Sequence, residues 1–141
     1  MTPTAHTGWV LRCDGGSRGN PGPGALGYVL SDGAGHEVEA RGEYLGVCTN
    51  NVAEYRSLIA GLTAATRHGV TSLVVRMDFE LVVRQMLGQY KVKNEGLKPL
   101  HAEARQAVAK VGQVRFESVP RDDNGRADAL VNEALDLALR R

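Results

Sequence analysis

Alternating apolar and polar residues predict three β-strands in the first third of the chain. The strand pattern covers residues 8–13 and 24–31, and it resumes at 36–45 after an Asp-Gly-Ala-Gly turn signal. A short continuous apolar run at 71–77 is typical of a strand buried on both faces, and residues 113–119 form a fifth strand pattern. The sequence therefore predicts five strands, of which the first three form a meander.

The remaining apolar residues recur with helical period. The clearest case is 51–68, where apolar side chains share one stripe and Gly69 follows as a stop signal. Shorter helices are predicted at three further stretches: 79–87, 99–111 and 126–140. A meander followed by alternating helices and strands predicts an α/β fold with a mixed sheet, in which right-handed crossovers place helices on both faces.

Composition and charge limit the possible functions. The 141 residues are 43% hydrophobic, which is enough for one domain with its own core, and residues 1–7 are expected to form a loose leader. The net charge is +1, so binding of nucleic acid has to be argued from a local basic patch. Cys13 and Cys48 lack the spacing of a zinc or redox motif, and no apolar run is long enough to span a membrane. We expect a single soluble domain over residues 1–141, located in the reducing cytoplasm.

Acidic residues stand at predicted strand ends and helix starts. Asp14 follows the first strand and Asp78 the fourth, while Glu54 and Asp128 lie early in the first and last helices. Each has a local explanation: Asp14 as a turn residue, Asp78 as a helix N-cap, Glu54 as a capping partner of Asn51, and Asp128 as a complement to the helix dipole. Together they place four carboxylates at one sheet edge, where ligands of open α/β sheets collect. Their mutual repulsion favours Mg²⁺ binding, and two such ions roughly 4 Å apart can hydrolyse a phosphodiester.

A glycine pattern at 22–27 matches the dinucleotide-binding motif G-x-G-x-x-G by letters. That motif requires a helix after the loop, because the helix N-terminus holds the pyrophosphate. A strand pattern follows here, so we exclude this interpretation.

Four motifs, in order and spacing, resemble type 1 ribonuclease H over nearly the whole chain. They are DGGSRGNPGPG at 14–24, TNNVAEY at 49–55, DFELV at 78–82 and NGRADAL at 124–130. The resemblance implies a ribonuclease H-like mixed sheet with strand order 3-2-1-4-5, in which strand 2 is antiparallel. It also implies an endonuclease that uses Mg²⁺ or Mn²⁺ to cleave the RNA strand of RNA–DNA hybrids, leaving 5′-phosphate and 3′-hydroxyl ends. Such an enzyme removes R-loops, primers and misincorporated ribonucleotides.

The resemblance also assigns roles to individual residues. The catalytic residues, which are also the implied ligands of two metal ions, are Asp14, Glu54, Asp78 and Asp128. The residues implied to approach the RNA strand and its 2′-hydroxyls are Gly15, Ser17, Asn20 and Asn51. Those implied to lie nearer the DNA strand are Thr49 and Asn50. Glycines permit close approach, and amides can both donate to and accept from a hydroxyl, although turn formation and helix capping would explain the same residues.

Two departures from the family pattern resemble its shorter, archaeal-like or actinobacterial branch. Many relatives carry a histidine in the loop before the last aspartate, whereas here residues 119–124 are shorter and Arg121 stands nearest that position. Arginine cannot shuttle protons at ordinary pH, but it can bind a phosphate. Where some relatives insert a basic protrusion, residues 88–99 carry only a few lysines, among them Lys91 and Lys93. These lysines fit a solvated loop equally well, and as a DNA contact they predict weaker, more salt-sensitive binding of the hybrid.

The resemblance further implies a monomer acting on nucleoid-associated hybrids, and actinobacterial relatives are often fused to a C-terminal phosphatase-like domain. Three alternatives stay open: a hybrid-binding module that does not cleave, a related nuclease for duplex RNA or DNA junctions, and a hydrolase of small phosphoesters. The four acids argue against the first alternative, and the Gly-Asn-Pro-Gly turn with Asn50 and Asn51 argues against the second. The lack of a nucleophilic Asp-x-Asp or histidine arrangement argues against the third.

Overall fold

The structure, a computed structural model, describes residues 8–140. Its strands are β1 (Trp9–Ser17), β2 (Gly22–Ser31), β3 (Glu37–Cys48), β4 (Ser72–Met77) and β5 (Gln113–Ser118). Its helices are α1 (Asn50–Arg67), α2 (Glu80–Met86), α3 (Lys98–Val111) and α4 (Gly125–Leu139), with a 3₁₀ turn at Arg121–Asn124 before α4. The predicted leader at 1–7 lies outside the described residues.

The five strands form one mixed sheet in the order β3-β2-β1-β4-β5. Strand β2 runs antiparallel to both of its neighbours, whereas β4 is parallel to β1 and to β5. The predicted strand order and directions are therefore confirmed. The order reverses between β1 and β4, which is where an open α/β sheet provides a crevice for ligands.

Alternate residues of β2 point to opposite faces of the sheet, and each face is covered by helices. Leu26, Tyr28 and Leu30 belong to the main core, which contains the buried side of α1 and α3. Ala25 instead packs with Val131 and other residues of α4, which contacts β2 and β3. This two-residue alternation confirms the predicted placement of helices on both faces.

The first strand is longer than predicted. Its parallel pairing with β4 ends at Cys13 and Met77, but its antiparallel pairing with β2 continues as far as Ser17. Asp14 therefore lies inside β1, at the position where the parallel ladder ends. The other boundaries differ from prediction by up to three residues, and the glycine-rich segment is part of a strand pair because β2 begins at Gly22. In the described part of the chain no helix has the length and hydropathy needed to cross a membrane.

Candidate active site

Three carboxylates meet at the end of the parallel β1–β4 ladder. Asp14 lies in β1, Asp78 follows β4 directly, and Glu54 lies in the second turn of α1. One carboxylate oxygen from each lies within 4.8 Å of the others. Asp128, in the first turn of α4, does not belong to this group of three, but its side chain and its charge raise the pKa of Asp14. The structure thus places three predicted acids together and the fourth beside them.

Because these carboxylates are buried, their negative charges are unfavourable when no cation accompanies them. Asp14 is 7% exposed and Glu54 is 4% exposed. Burial, followed by the charge of Asp78 and the side chain of Asp128, raises the pKa of Asp14 from its ordinary 3.8 to about 7. Burial, followed by the charges of Asp14 and Asp78, raises the pKa of Glu54 well above its usual range. A cation between these oxygens would offset both effects.

The donor set fits a hard divalent cation. Oε1 of Glu54 is buried and has no hydrogen-bond partner within the described residues. A buried carboxylate oxygen without a donor is costly to leave unpaired. Carboxylate oxygens at this spacing are the ligands that Mg²⁺ and Mn²⁺ prefer. The geometry therefore supports a divalent metal without selecting between the two.

The local backbone explains how α1 brings Glu54 to the strand. A β-carbon at Gly15 would lie 2.3 Å from the carbonyl oxygen of Ala53, so only glycine lets β1 approach the helix so closely. The helix is capped by Thr49, whose hydroxyl accepts a hydrogen bond from the Val52 amide at 3.2 Å. Since Thr49 is the cap, the alternative interpretation of Glu54 as a capping residue is wrong.

The capping interpretation of Asp78 is also wrong. The N-cap of α2 is Phe79, and it makes no side-chain capping bond. Asp78 instead accepts a hydrogen bond at 3.1 Å from Nδ2 of Asn124. The same nitrogen donates to the carbonyl oxygen of Cys13 at 2.8 Å. Asn124 is 1% exposed, so this amide fixes Asp78 against the end of β1 from within the protein.

The sequence motif that contains Asn124 assigns this residue no role. The signal was the asparagine immediately before Gly125 at the start of the last predicted helix, where an N-cap would be the ordinary interpretation. In the structure its side chain makes no capping bond. The amide is used to orient a carboxylate instead.

The acids lie in a cleft of about 380 Å³ that also contains several of the predicted nucleic-acid contacts. Gly15, Ser17, Asn50 and Arg121 line it. The remaining predicted contacts lie outside its lining: Asn20, Thr49, Asn51, Lys91 and Lys93.

Two amides join the glycine-rich turn to the start of α1. Oδ1 of Asn50 accepts from the Ser17 amide at 3.2 Å, and Oδ1 of Asn20 accepts from the Asn50 amide at 3.0 Å. Ser17 and Asn50 therefore shape the cleft that they line, and Asn20 supports them from outside the lining. Oγ of Ser17 is buried without a partner among the described residues.

Positive charge around the cleft comes from a few residues. Arg121 lines the cleft and its charge acts to lower the pKa of Glu54. Arg18, to which the sequence analysis assigns no role, also lines the cleft and forms an ion pair with Asp136 at 2.7 Å. Its signal was a cation within the glycine-rich motif. The arrangement is an acidic floor with arginines near its rim, which suits an anionic substrate that brings or shares cations.

Comparison with known proteins identifies the same architecture. A family model described as reverse transcriptase-like matches residues 12–134. The "Bifunctional protein Rv2228c" of Mycobacterium tuberculosis is 45% identical over 92% of this chain and 36% of its own length, and its N-terminal RNase H domain superposes with a TM-score of 0.89. "Ribonuclease HI" of Halobacterium salinarum is 44% identical over 87% of this chain and 62% of its own. The structure of LC11-RNase H1 in complex with an RNA/DNA hybrid is 43% identical, covers 93% of this chain and 99% of that one, and has a TM-score of 0.89.

These similarities extend over both the sheet and the acidic cleft. The chain belongs to the type 1 ribonuclease H family. It spans about a third of the length of the mycobacterial relative, at 36%.

Proposed function

We propose that this chain hydrolyses the RNA strand of RNA–DNA hybrids. The observation that carries the proposal is the cluster of Asp14, Glu54 and Asp78 in a cleft, with one buried Glu54 oxygen left without a donor. A relative that is 43% identical over 93% of this chain is described in complex with an RNA/DNA hybrid. Together, the site and the family support a metal-dependent nuclease acting on that class of substrate.

Two Mg²⁺ or Mn²⁺ ions are the proposed cofactors, held by Asp14, Glu54, Asp78 and Asp128. When bound, such ions supply an activated water and stabilise the leaving oxygen, which gives 5′-phosphate and 3′-hydroxyl ends. The protein's own contribution is to orient the ligands. Asn124 holds Asp78 in place through Nδ2, and the close approach at Gly15 fixes Glu54 beside β1.

Substrate recognition is proposed for the residues around the cleft. Those assigned to the RNA strand are Gly15, Ser17, Asn20 and Asn51. Those assigned to the DNA strand and phosphates are Thr49, Asn50, Arg121, Lys91 and Lys93. The 2′-hydroxyl distinguishes RNA from DNA, and it would be read by main-chain groups and amides that both donate and accept.

The wider biological setting also belongs to the proposal. We place the chain in the shorter, archaeal-like or actinobacterial branch, as a monomeric single domain over residues 1–141 that acts in the cytoplasm. Fusion to a C-terminal phosphatase-like domain stays a prediction, and the word "bifunctional" in the name of the mycobacterial relative is compatible with it.

The deciding assay incubates the protein with end-labelled RNA–DNA hybrid, duplex DNA and duplex RNA, each with Mg²⁺, Mn²⁺ or a chelator. We expect cleavage of the hybrid's RNA strand alone, and only with a divalent ion. Asp78→Asn should abolish cleavage, while Glu103→Gln, an exposed change on α3 outside the cleft, should not. Binding without cleavage would favour a hybrid-binding module, and equal cleavage of duplex RNA would favour the related nuclease. Either result would refute the proposal.

A further inference from the structure

A buried polar network connects three helices with the loop at residues 87–97, which we call the basic loop. The Tyr55 hydroxyl donates to Oε1 of Gln85 at 2.6 Å, and Nε2 of Gln85 donates to the carbonyl oxygen of Lys91 at 3.4 Å. Nε2 of His101 lies 3.3 Å from the backbone carbonyl oxygen of Gln85. Tyr55 is fully buried and Gln85 is 6% exposed. The network therefore spans α1, α2, α3 and the first part of the basic loop.

The end of α2 holds the same part of the loop by a second set of contacts. The carbonyl oxygen of Arg84 accepts from the amides of Gln89 and Tyr90 at 2.9 and 3.3 Å. The Arg84 side chain donates to Oε1 of Gln89 at 3.0 Å, and its guanidinium lies 5.5 Å from the centroid of the Tyr90 ring. Backbone and side-chain contacts thus fix the chain up to Lys91.

The fixed segment, together with the residues just after it, presents positive charge that the described residues leave uncompensated. Lys91 and Lys93 are exposed and form no ion pair with any residue in 8–140. Lys98, at the start of α3, is paired with Glu95 at 2.8 Å. Uncompensated ammonium groups at a fixed place on the surface are suited to phosphates of a nucleic-acid backbone.

We propose that Gln85 is a positioning residue for binding of the hybrid, acting through the basic loop and never touching the substrate. This inference rests on the proposed function. Tyr55 follows Glu54 directly in α1. The network therefore fixes the loop at Lys91, two residues before Lys93, relative to the helix that supplies a carboxylate to the cleft.

Glutamine suits this position because its amide both accepts and donates. It accepts from the Tyr55 hydroxyl and donates to the Lys91 carbonyl at the same time. Methionine has a similar volume, no donor and only a weakly accepting sulfur. Its introduction leaves the buried Tyr55 hydroxyl and the Lys91 carbonyl without their partner, so that only the Arg84 contacts to Gln89 and Tyr90 still hold the loop to α2.

The test measures the Kd for a short RNA–DNA hybrid in chelator at several salt concentrations. Gln85→Met is expected to raise the Kd about three- to tenfold and to reduce the slope of log Kd against log salt by about one, the effect of losing one phosphate contact. Lys91→Ala with Lys93→Ala should reduce the slope by about two. The matched control is Gln106→Met, an exposed position on α3, which should leave the Kd unchanged. In steady-state cleavage, Gln85→Met should raise KM more than it lowers kcat.

Combining the changes separates positioning from a general structural effect. Since Gln85 acts through the lysines, Gln85→Met should add nothing to the Kd in the Lys91→Ala, Lys93→Ala background. The inference would be overturned if Gln85→Met alone had the wild-type Kd and salt slope. It would also be overturned if Gln85→Met raised the Kd as much in the Lys91→Ala, Lys93→Ala background as it does in the wild type. If Gln85→Met does not fold, Tyr55→Phe, which removes the hydroxyl that donates to Gln85, is tested by the same measurements and should raise the Kd by a smaller factor. Failure of the wild-type chain to cleave hybrids refutes the proposed function, whereas cleavage with an unchanged Gln85→Met Kd refutes only this inference.

Discussion

Asp14→Asn is expected to stabilise the metal-free protein at neutral pH, although it removes a predicted metal ligand. Asp14 is 7% exposed and its pKa is raised from 3.8 to about 7, chiefly by burial and then by Asp78 and Asp128. A folded-state pKa above the unfolded one means that the stabilising contribution is complete below about pH 4 and is lost as the pH rises through about 7. Asparagine has the same shape and no charge, so it avoids that loss.

The size of the effect follows from the difference between the two pKa values. A rise from 3.8 to about 7 corresponds to about 4 kcal/mol as an upper limit, since each pKa unit is about 1.4 kcal/mol. The carboxylates titrate together, so removing the charge of Asp14 alone recovers only part of this free energy. We expect Asp14→Asn to raise the free energy of unfolding by about 1–3 kcal/mol at about pH 8 and by less than half of that at about pH 5.

Urea unfolding in chelator at both pH values measures this difference directly. Glu103→Gln makes the same carboxyl-to-amide change at an exposed position, and it should shift neither value by more than about 0.5 kcal/mol. Saturating Mg²⁺ should then stabilise the wild type by mass action and Asp14→Asn much less. If Asp14→Asn is no more stable than the wild type at about pH 8, the electrostatic account of the cluster is refuted.

Three further substitutions test other parts of the site. Gly15→Ala should lower the free energy of unfolding by about 1–3 kcal/mol in urea, because its β-carbon would lie 2.3 Å from the Ala53 carbonyl oxygen; wild-type stability would show that β1 can move away from α1 at no cost. Asn124→Ala removes the hydrogen-bond donor to Asp78. It should weaken Mg²⁺ binding about tenfold, measured by calorimetry, because the loss of a hydrogen-bond partner of a metal ligand has an effect of this size; unchanged affinity would show that Asn124 does not orient Asp78. Arg121→Gln should lower the salt slope of hybrid binding by about one, the effect of losing one phosphate contact; a wild-type slope would contradict that role.

The strands and the mixed sheet could be predicted because their determinants are local, whereas the full strand order was implied by the family resemblance. Alternation over β2 and the turn at Asp32 specify a hairpin, and a continuous apolar run such as β4 specifies a strand covered on both faces. The meeting of Asp14 and Asp78 also followed, since parallel strands bring their carboxyl ends to one edge. The length of β1 did not follow, because its continuation to Ser17 depends on pairing with β2 through glycines that read as a turn.

Long-range side-chain bonds could not be predicted from local pattern. The Asn124 amide reaches the Cys13 carbonyl across 111 positions of sequence, and Tyr55 meets Gln85 across 30. Each of these residues has an ordinary local interpretation, as a helix cap or as part of a helical stripe. Only the packing of the folded chain decides that the Asn124 amide orients Asp78 and that the Gln85 amide orients the basic loop.

The separation of Asp128 from the other three acids has a structural cause. Asp14 lies in β1, Asp78 follows β4 directly and Glu54 lies in α1, whereas Asp128 is supplied by α4, which packs on the other face of the sheet. Its position therefore depends on how closely α4 approaches β2 and β3. A β-carbon at Gly27 would lie 2.6 Å from the carbonyl oxygen of Ala127, and Ala127 is the residue just before Asp128. The fourth carboxylate is thus placed by a backbone contact on the opposite face of the sheet, so the spacing of the site depends on the strands as well as on the acids themselves.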